Sequence, residues 1–215
     1  LTVLMAEGRE ADMQALFLAA NRFVCTFLFP LAALIALHGK FLIYAWTGDW
    51  SAALWSQQIL SWYALGSAIM AMSAFQFYLQ YAHGQMRLHV WYSVISALVT
   101  VPVMFLAIHY QGAYGAALAW FALRAVSFAL WPMIVHQRLA PGLHGQWLRD
   151  IIRISVMSAV GLAISEPLFL LIAGEDRLSV FLALAVSGLI TLLVVAASYK
   201  PLALRIFVLF SKPST

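Results

Sequence analysis

A single charged residue, Arg124, interrupts the apolar stretch GAALAWFALRAVSFALW. A charge at the centre of a membrane helix costs about 2.5–3.5 kcal/mol on insertion scales. At about 1.5 Å of rise per residue, Arg124 lies roughly 16 Å from either end of an apolar span over 113–135, which is too deep for easy snorkelling. Trp120 and Ser127 share its helical face. We expect these residues to line a polar cavity, in which the planar guanidinium binds phosphate with two parallel hydrogen bonds.

Glu166 is the one acidic residue inside a predicted span, and it directly precedes Pro167. The same helical rise places Glu166 within about 6 Å of the depth of Arg124. Two interpretations of Arg124 stay open, an ion pair with Glu166 that holds two helices together and a contact with a bound anion. They are compatible if the pair breaks during function. We expect Glu166 to be a partner of Arg124 and not an ion-coupling site.

Polar residues also occur in the first two spans. Arg22, beside Asn21, lies in the inner half of the first span and either snorkels to the cytoplasmic surface or points into the bundle. Pro30, eight residues later, predicts a kink. Gln76 and Gln80 lie on one face of the second span. They form either hydrogen bonds between helices or the wall of a wetted cavity, and the cavity is slightly favoured.

The sequence has none of the familiar enzyme motifs. It contains no phosphate-binding GxxxxGK[ST] loop, no GxGxxG, no HExxH and no GxSxG. The histidines fall at span ends or in loops, where we expect interfacial residues and not metal ligands. We therefore predict no enzyme, no catalytic residue, no metal site and no cofactor. The histidines are His38, His83, His89, His109, His136 and His144.

The composition indicates a membrane protein. Of the 215 residues, 64% are hydrophobic and 9% are charged, whereas soluble domains carry about 25% charged residues. The net charge of +4 is attributed to membrane topology and does not indicate a nucleic-acid partner. The lone Cys25 forms no disulfide within the chain.

Six segments are long and apolar enough to span a bilayer, which takes about 20 residues. Turn-forming and polar residues separate them. Because backbone groups in lipid must bond within their own segment, we predict an all-α membrane protein built as a bundle of six transmembrane helices. The spans are 13–37, 55–81, 88–108, 113–135, 152–173 and 178–199.

Lysine and arginine positions predict the orientation. With a cytoplasmic N-terminus, the inner segments hold Arg9, Arg87, Arg138, Arg149, Arg153, Lys200, Arg205 and Lys212, and the outer loops hold Lys40 and Arg177. This bias places both termini in the cytoplasm. Two segments, GQWLRDIIR (145–153) and PLALRIFVLF (201–210), suit interfacial helices on the inner surface. For the first, a solvated loop is nearly as good an interpretation.

Three segments carry a family resemblance: FLFPLAALIALHGKFLIYAWTGD, YQGAYGAALAW and HQRLAPGLHGQWLRD. Together they resemble the C-terminal half of bacterial O-antigen flippases, in the polysaccharide-transporter branch of the multidrug/oligosaccharidyl-lipid/polysaccharide exporter superfamily. The resemblance implies one half of a twelve-helix, two-bundle transporter, whose N-terminal bundle is absent from this chain. We expect the chain, which opens with Leu1, to be part of a longer polypeptide. The resemblance also implies that Asn21, Arg22, Gln76 and Gln80 line the cavity, and that Arg124 is a cavity or inter-helix residue.

The favoured function is the flipping of a polyprenyl-pyrophosphate-linked oligosaccharide across the bacterial inner membrane by alternating access. The partners expected are this substrate, membrane lipid and the N-terminal half of the same transporter. One alternative is a cation-coupled multidrug exporter, with Glu166 as its ion site. Another is a membrane-embedded glycosyl or lipid transferase, which the basic and acid-poor inner face disfavours.

Overall fold

The structure, a computed structural model, describes residues 1–199, and within that range all regular structure is helical. Five of the helices are long and apolar enough to cross a membrane, which confirms the predicted all-α membrane fold. The exception is α1, a short helix that precedes them. The helices are α1 (Thr2–Ala6), α2 (Glu10–Thr47), α3 (Trp50–Ala82), α4 (Met86–Leu139), α5 (Leu143–Ile172) and α6 (Arg177–Ser198).

Helix α4 folds back on itself and supplies two of the six predicted spans. Its backbone leaves the helical region at Gly112, with φ 59° and ψ −141°. The rings of Tyr92 and Trp131 stack with centroids 4.2 Å apart, although a straight helix would separate them by about 58 Å. The two arms, 86–111 and 113–139, therefore run antiparallel. Glycine occupies the turn because residues with a Cβ strongly disfavour that backbone conformation.

Helix α2 is longer than its predicted span, and it kinks at a different residue. The segment after Leu37 stays helical to Thr47, although the sequence HGK suggested a connection. Pro30 lies buried within the helix, and the non-helical dihedrals occur instead at His38, with φ −110° and ψ 20°. From α3, the Ser61 hydroxyl lies 2.6 Å from the carbonyl oxygen of Ala36. This contact joins α3 to α2 beside the kink, and the same hydroxyl lies 2.8 Å from the carbonyl oxygen of Gln57.

The interpretation of GQWLRDIIR as an interfacial helix or a loop was wrong. These residues form the first turns of α5, which begins at Leu143. Trp147 and Ile151 are buried against the bundle, and Arg149 and Arg153 are exposed on the other side. The segment is amphipathic because it packs against the other helices of the chain. The second proposed interfacial helix, PLALRIFVLF, lies outside the described residues, as do Lys200, Arg205 and Lys212.

Small residues bring the helices close together. Helix α2 contacts α3, α5 and α6, whereas α4 packs mainly on α3. A Cβ on Gly161 of α5 would lie 2.7 Å from the Cα of Thr191 in α6. One turn away, the hydroxyl oxygens of Ser165 and Ser187 are 2.6 Å apart. Gly161 and Ser165 therefore pack closely against α6.

The C-terminal end of α2 and the N-terminal end of α6 are tied together by side-chain hydrogen bonds. Arg177 donates from Nε to the carbonyl oxygen of Ala45, at 3.1 Å. The Asp176 carboxylate caps α6 by accepting from the Ser179 amide, at 2.8 Å. Hydrogen bonding to Ser179 lowers the pKa of the Asp176 carboxyl. These contacts fix the loop next to the half of α2 that follows the kink.

Candidate functional site

Arg124 lies in a groove between the two arms of α4. The groove has a volume of about 460 Å³, and of the described residues that line it Arg124 alone is charged. Ser96, Thr100 and Ser127 supply hydroxyls, and most of the remaining lining is apolar. Within residues 1–199, no acidic group lies within 4 Å of the Arg124 guanidinium. The side chain is half-buried, and its Nε donates no hydrogen bond to any described residue. The site combines one guanidinium with an apolar wall, which suits an anion attached to a hydrocarbon chain.

Trp120 positions the guanidinium. The Arg124 Cζ lies 4.4 Å from the centre of the Trp120 ring, a cation–π contact that holds the guanidinium over the indole. The indole in turn fills the space left by Gly66 of α3, where a Cβ would come within 2.5 Å of Trp120 Cδ1. The Tyr63 ring stacks on the same indole, with centroids 5.8 Å apart. The sequence placed Trp120 on the same helical face as Arg124, but nothing in it indicated that the indole packs against Gly66.

The predicted amides of the first two spans are buried. Asn21, Gln76 and Gln80 are at most 2% exposed. Asn21 Oδ1 accepts from the Cys25 thiol at 3.3 Å, and Gln80 Nε2 donates to the Gln76 carbonyl at 2.9 Å. Four polar atoms of these side chains have no hydrogen-bond partner among the described residues: Gln76 Oε1, Gln76 Nε2, Gln80 Oε1 and Asn21 Nδ2. A buried polar group in this condition costs about 1–3 kcal/mol, so these amides are available to a polar molecule that enters between the helices.

Arg22 forms an ion pair that joins α2 to α5. Its Nε lies 2.5 Å from Asp150 Oδ2, and the side chains are 27% and 14% exposed. The Tyr199 ring faces the same guanidinium, with Cζ 5.9 Å from its centre, and the Tyr199 hydroxyl donates to the Asp150 carbonyl at 3.1 Å. Arg22 therefore neither snorkels freely nor lines an open cavity in this conformation. Asp150 was the partner that sequence reasoning missed, because its segment was assigned to the membrane surface.

Glu166 contacts a histidine and not Arg124. Its Oε2 lies 3.1 Å from His38 Nε2, too poorly aligned to count as a hydrogen bond. The expected pair with Arg124 is not formed, because α4 packs mainly on α3 and touches α5 at few places. His38, which we predicted to be interfacial, is buried among the helices, with 3% of its surface exposed. The depths predicted for Arg124 and Glu166 were similar, but α4 and α5 make few contacts.

The structure thus separates the predicted site residues into distinct places. Arg124, Trp120 and Ser127 share the groove of α4, and Glu166 lies against α2. In the part of the chain that the structure describes, no group of three or more His, Cys, Asp or Glu side chains is arranged to hold a metal ion. No family model, curated protein or solved structure matches the chain.

Proposed function

We propose that this chain is one six-helix half of a carrier that flips a polyprenyl-pyrophosphate-linked oligosaccharide across the bacterial inner membrane. The observation that supports it most is Arg124, a guanidinium in mid-membrane without an acidic partner among the described residues, on the wall of an apolar groove. A charge at that depth is costly unless it contacts an opposite charge or water. A substrate phosphate supplies the opposite charge, and a polyprenyl chain matches the apolar wall.

The sign of the charge favours an anionic substrate. A carrier of cationic amphiphiles gains nothing from a lone arginine in its groove, because like charges repel. A pyrophosphate offers several oxygens to the fork of guanidinium N–H groups, and such charge-assisted bonds are about twice as strong as neutral ones. The groove therefore supports the flippase over the multidrug exporter.

The buried amides supply a second part of the proposal. Sugars present many hydroxyl groups, each of which donates and accepts hydrogen bonds. Asn21, Gln76 and Gln80 hold unpartnered polar atoms in the packed conformation. In our proposal, alternating access moves α2 and α3 relative to the other helices of this chain, and the amides then bind water or sugar hydroxyls. No bond is made or broken in this cycle, so the carrier needs no catalytic group.

The orientation that we propose has both termini in the cytoplasm. The described inner segments carry Arg9, Arg87, Arg138, Arg149 and Arg153, and the outer loops carry fewer basic residues. Polyprenyl-linked sugars are assembled on the cytoplasmic face in this scheme. The substrate then enters the carrier from the end of the bundle at which Arg22 and Asp150 form their ion pair.

Substitution of Arg124 tests the proposal. In cells whose only gene copy encodes Arg124→Ala, we expect the oligosaccharide reaching the periplasmic face to fall about tenfold. The reason is that hydrogen bonds to a charged group contribute about 1.5–3 kcal/mol, and about 1.4 kcal/mol changes an equilibrium tenfold. Arg124→Lys keeps the charge without the planar fork, so its loss should be smaller. The amount of lipid-linked oligosaccharide retained on the cytoplasmic side gives the measurement.

Arg138→Ala is the matched control, because Arg138 is an exposed arginine near the end of the same helix. It should behave as the wild type, and membrane levels of each variant should be equal. Normal export by a well-expressed Arg124→Ala variant would contradict the role of Arg124 and remove the main support for the substrate.

A further inference from the structure

We propose that His38 and Glu166 form a proton-binding site that joins α2 to α5. His38 Nε2 and Glu166 Oε2 are 3.1 Å apart. The imidazole is buried and stacks on the Phe169 ring, with centroids 4.0 Å apart. Burial of the ring disfavours the imidazolium form, and the neighbouring carboxylate favours it. A proton on the pair converts a neutral ring and a carboxylate into two opposite charges. This inference concerns the proton alone and does not require the proposed oligosaccharide substrate.

His38 lies at a kink of α2, and Glu166 lies next to a proline of α5. His38 has the non-helical dihedrals of the α2 kink. Glu166 precedes Pro167 in α5; because proline has no N–H, the Ala163 carbonyl loses its usual donor. A change of charge at this contact therefore acts next to the α2 kink and next to Pro167 of α5. The strength of the contact depends on the proton, since the ion pair exists only while His38 is protonated and Glu166 is ionised.

The site is reachable from outside the protein core. Glu166 is 38% exposed at its side chain, whereas that of His38 is 3% exposed. Glu166 lies on a groove of about 640 Å³ whose other lining residues are apolar, among them Leu37, Leu65 and Leu162. The carboxylate is thus the more accessible member of the pair, and the ring is the buried one.

Few other charges face the pair. Lys40, two residues along α2, acts on His38 electrostatically, although its Nζ lies over the Phe41 ring, 5.0 Å from the centre. Arg177 at the start of α6 is bound to the outer carbonyls of α2. Helix α3 presents Leu60 and Ser61 near the kink. Between pH 5 and 8, unperturbed lysine and arginine stay charged, so a pH response of the contact is assigned to His38 and Glu166.

Histidine ¹⁵N NMR of the purified protein in micelles tests proton binding directly. One imidazole signal, absent from His38→Gln, should titrate in the wild type. Its midpoint should move by about one pH unit or more in Glu166→Gln, because a neighbouring carboxylate shifts a titration by about 1–3 units. His109→Gln is the control, since His109 is an exposed histidine in the outer turn of α4. It should leave the His38 signal unchanged.

Two spin labels measure the contact itself, in a background without other cysteines. They replace Trp46 and Leu171, which are exposed positions near the C-terminal ends of α2 and α5. We expect the distance between the labels to increase when the pH rises from 5.5 to 8.5 in the wild type and in His109→Gln. In His38→Gln and Glu166→Gln it should not depend on pH. The inference is overturned if the wild type shows no titrating His38 signal, or if its label distance is the same at both pH values. A pH response that survives in both pair variants also overturns it.

Discussion

At the scale of single residues, partly buried ion pairs and unpaired charges have opposite roles in this molecule. Arg22 and Asp150 form an ion pair, with Nε 2.5 Å from Oδ2, and both side chains are partly shielded from solvent. Arg124 faces an apolar groove without such a partner in the described chain. Removing one member of a pair leaves the other charge uncompensated, which is costly in a partly buried place. We therefore assign Arg22 to stability, whereas the binding role of Arg124 belongs to the proposed function.

A double-mutant cycle measures the Arg22–Asp150 pair. We expect Asp150→Asn and Arg22→Gln each to lower the free energy of unfolding by about 1–3 kcal/mol, as for other hydrogen-bonded charges. The double variant should lose less than the sum of the two, because the second change removes a charge that is already unpaired. Denaturation in mixed micelles, followed by tryptophan fluorescence, gives these energies.

The exposed pair of Arg9 with Asp12, at 2.8 Å, is the matched control. Its removal should change the stability by less than about 1 kcal/mol, since solvent screens such pairs. Additive losses at Arg22 and Asp150 would show that the two side chains do not interact.

The sequence identified which residues are unusual but not which residues they contact. Arg124, Glu166, Arg22 and the amides were singled out because polar groups in apolar helices are rare. Helical rise gave their depth in the membrane, and depth alone matched Glu166 to Arg124. The contact between Glu166 and His38 depends on which helices are neighbours, and no property of a single segment encodes that.

At the scale of helices, one glycine determines how α4 crosses the membrane. Gly112 turns the chain back, and the arms then meet along the groove that holds Arg124. The break near HYQG was predicted from its turn-forming residues, and so were the two spans on either side of it. The kink at His38 lies within the sequence HGK, but the sequence did not distinguish a kink from the end of the helix.

Substitution of Gly112 tests the turn. We expect Gly112→Ala to lower stability by about 1–3 kcal/mol, the usual cost of a strained backbone conformation. The cause is conformational and not steric, since a Cβ at Gly112 would meet no atom within 4 Å. Gly145→Ala is the control, because Gly145 is helical and equally open. There alanine should be neutral or stabilising by about 0.4–1 kcal/mol.

Thermal unfolding of both variants in detergent gives the comparison. Equal melting temperatures for Gly112→Ala and Gly145→Ala would mean that the backbone at Gly112 is not strained by a side chain, and the described turn would then be wrong.

At the scale of the whole molecule, the chain is a set of membrane-crossing helices with polar groups at several depths. Composition and span length were enough to predict this class, because lipid admits few backbone structures. Which helices are neighbours could not be predicted from the sequence. Helix α2 contacts three other long helices, and it does so through small and apolar residues that resemble those of any membrane helix. The central claim, that these helices belong to a carrier of a phosphorylated lipid-linked sugar, rests on the charge and the lining of one groove.

The most direct test is transport by the purified protein in liposomes. A polyprenyl-pyrophosphate oligosaccharide with a fluorophore on its sugar is placed in both leaflets, and an impermeant reductant is added outside. We predict that wild-type protein exposes the inner-leaflet fluorophore to the reductant, and that Arg124→Ala does so about tenfold more slowly, as one lost charge-assisted contact implies. Fluorescence loss limited to the outer leaflet, as in protein-free liposomes, would contradict the claim, and so would equally fast movement of a phosphate-free analogue.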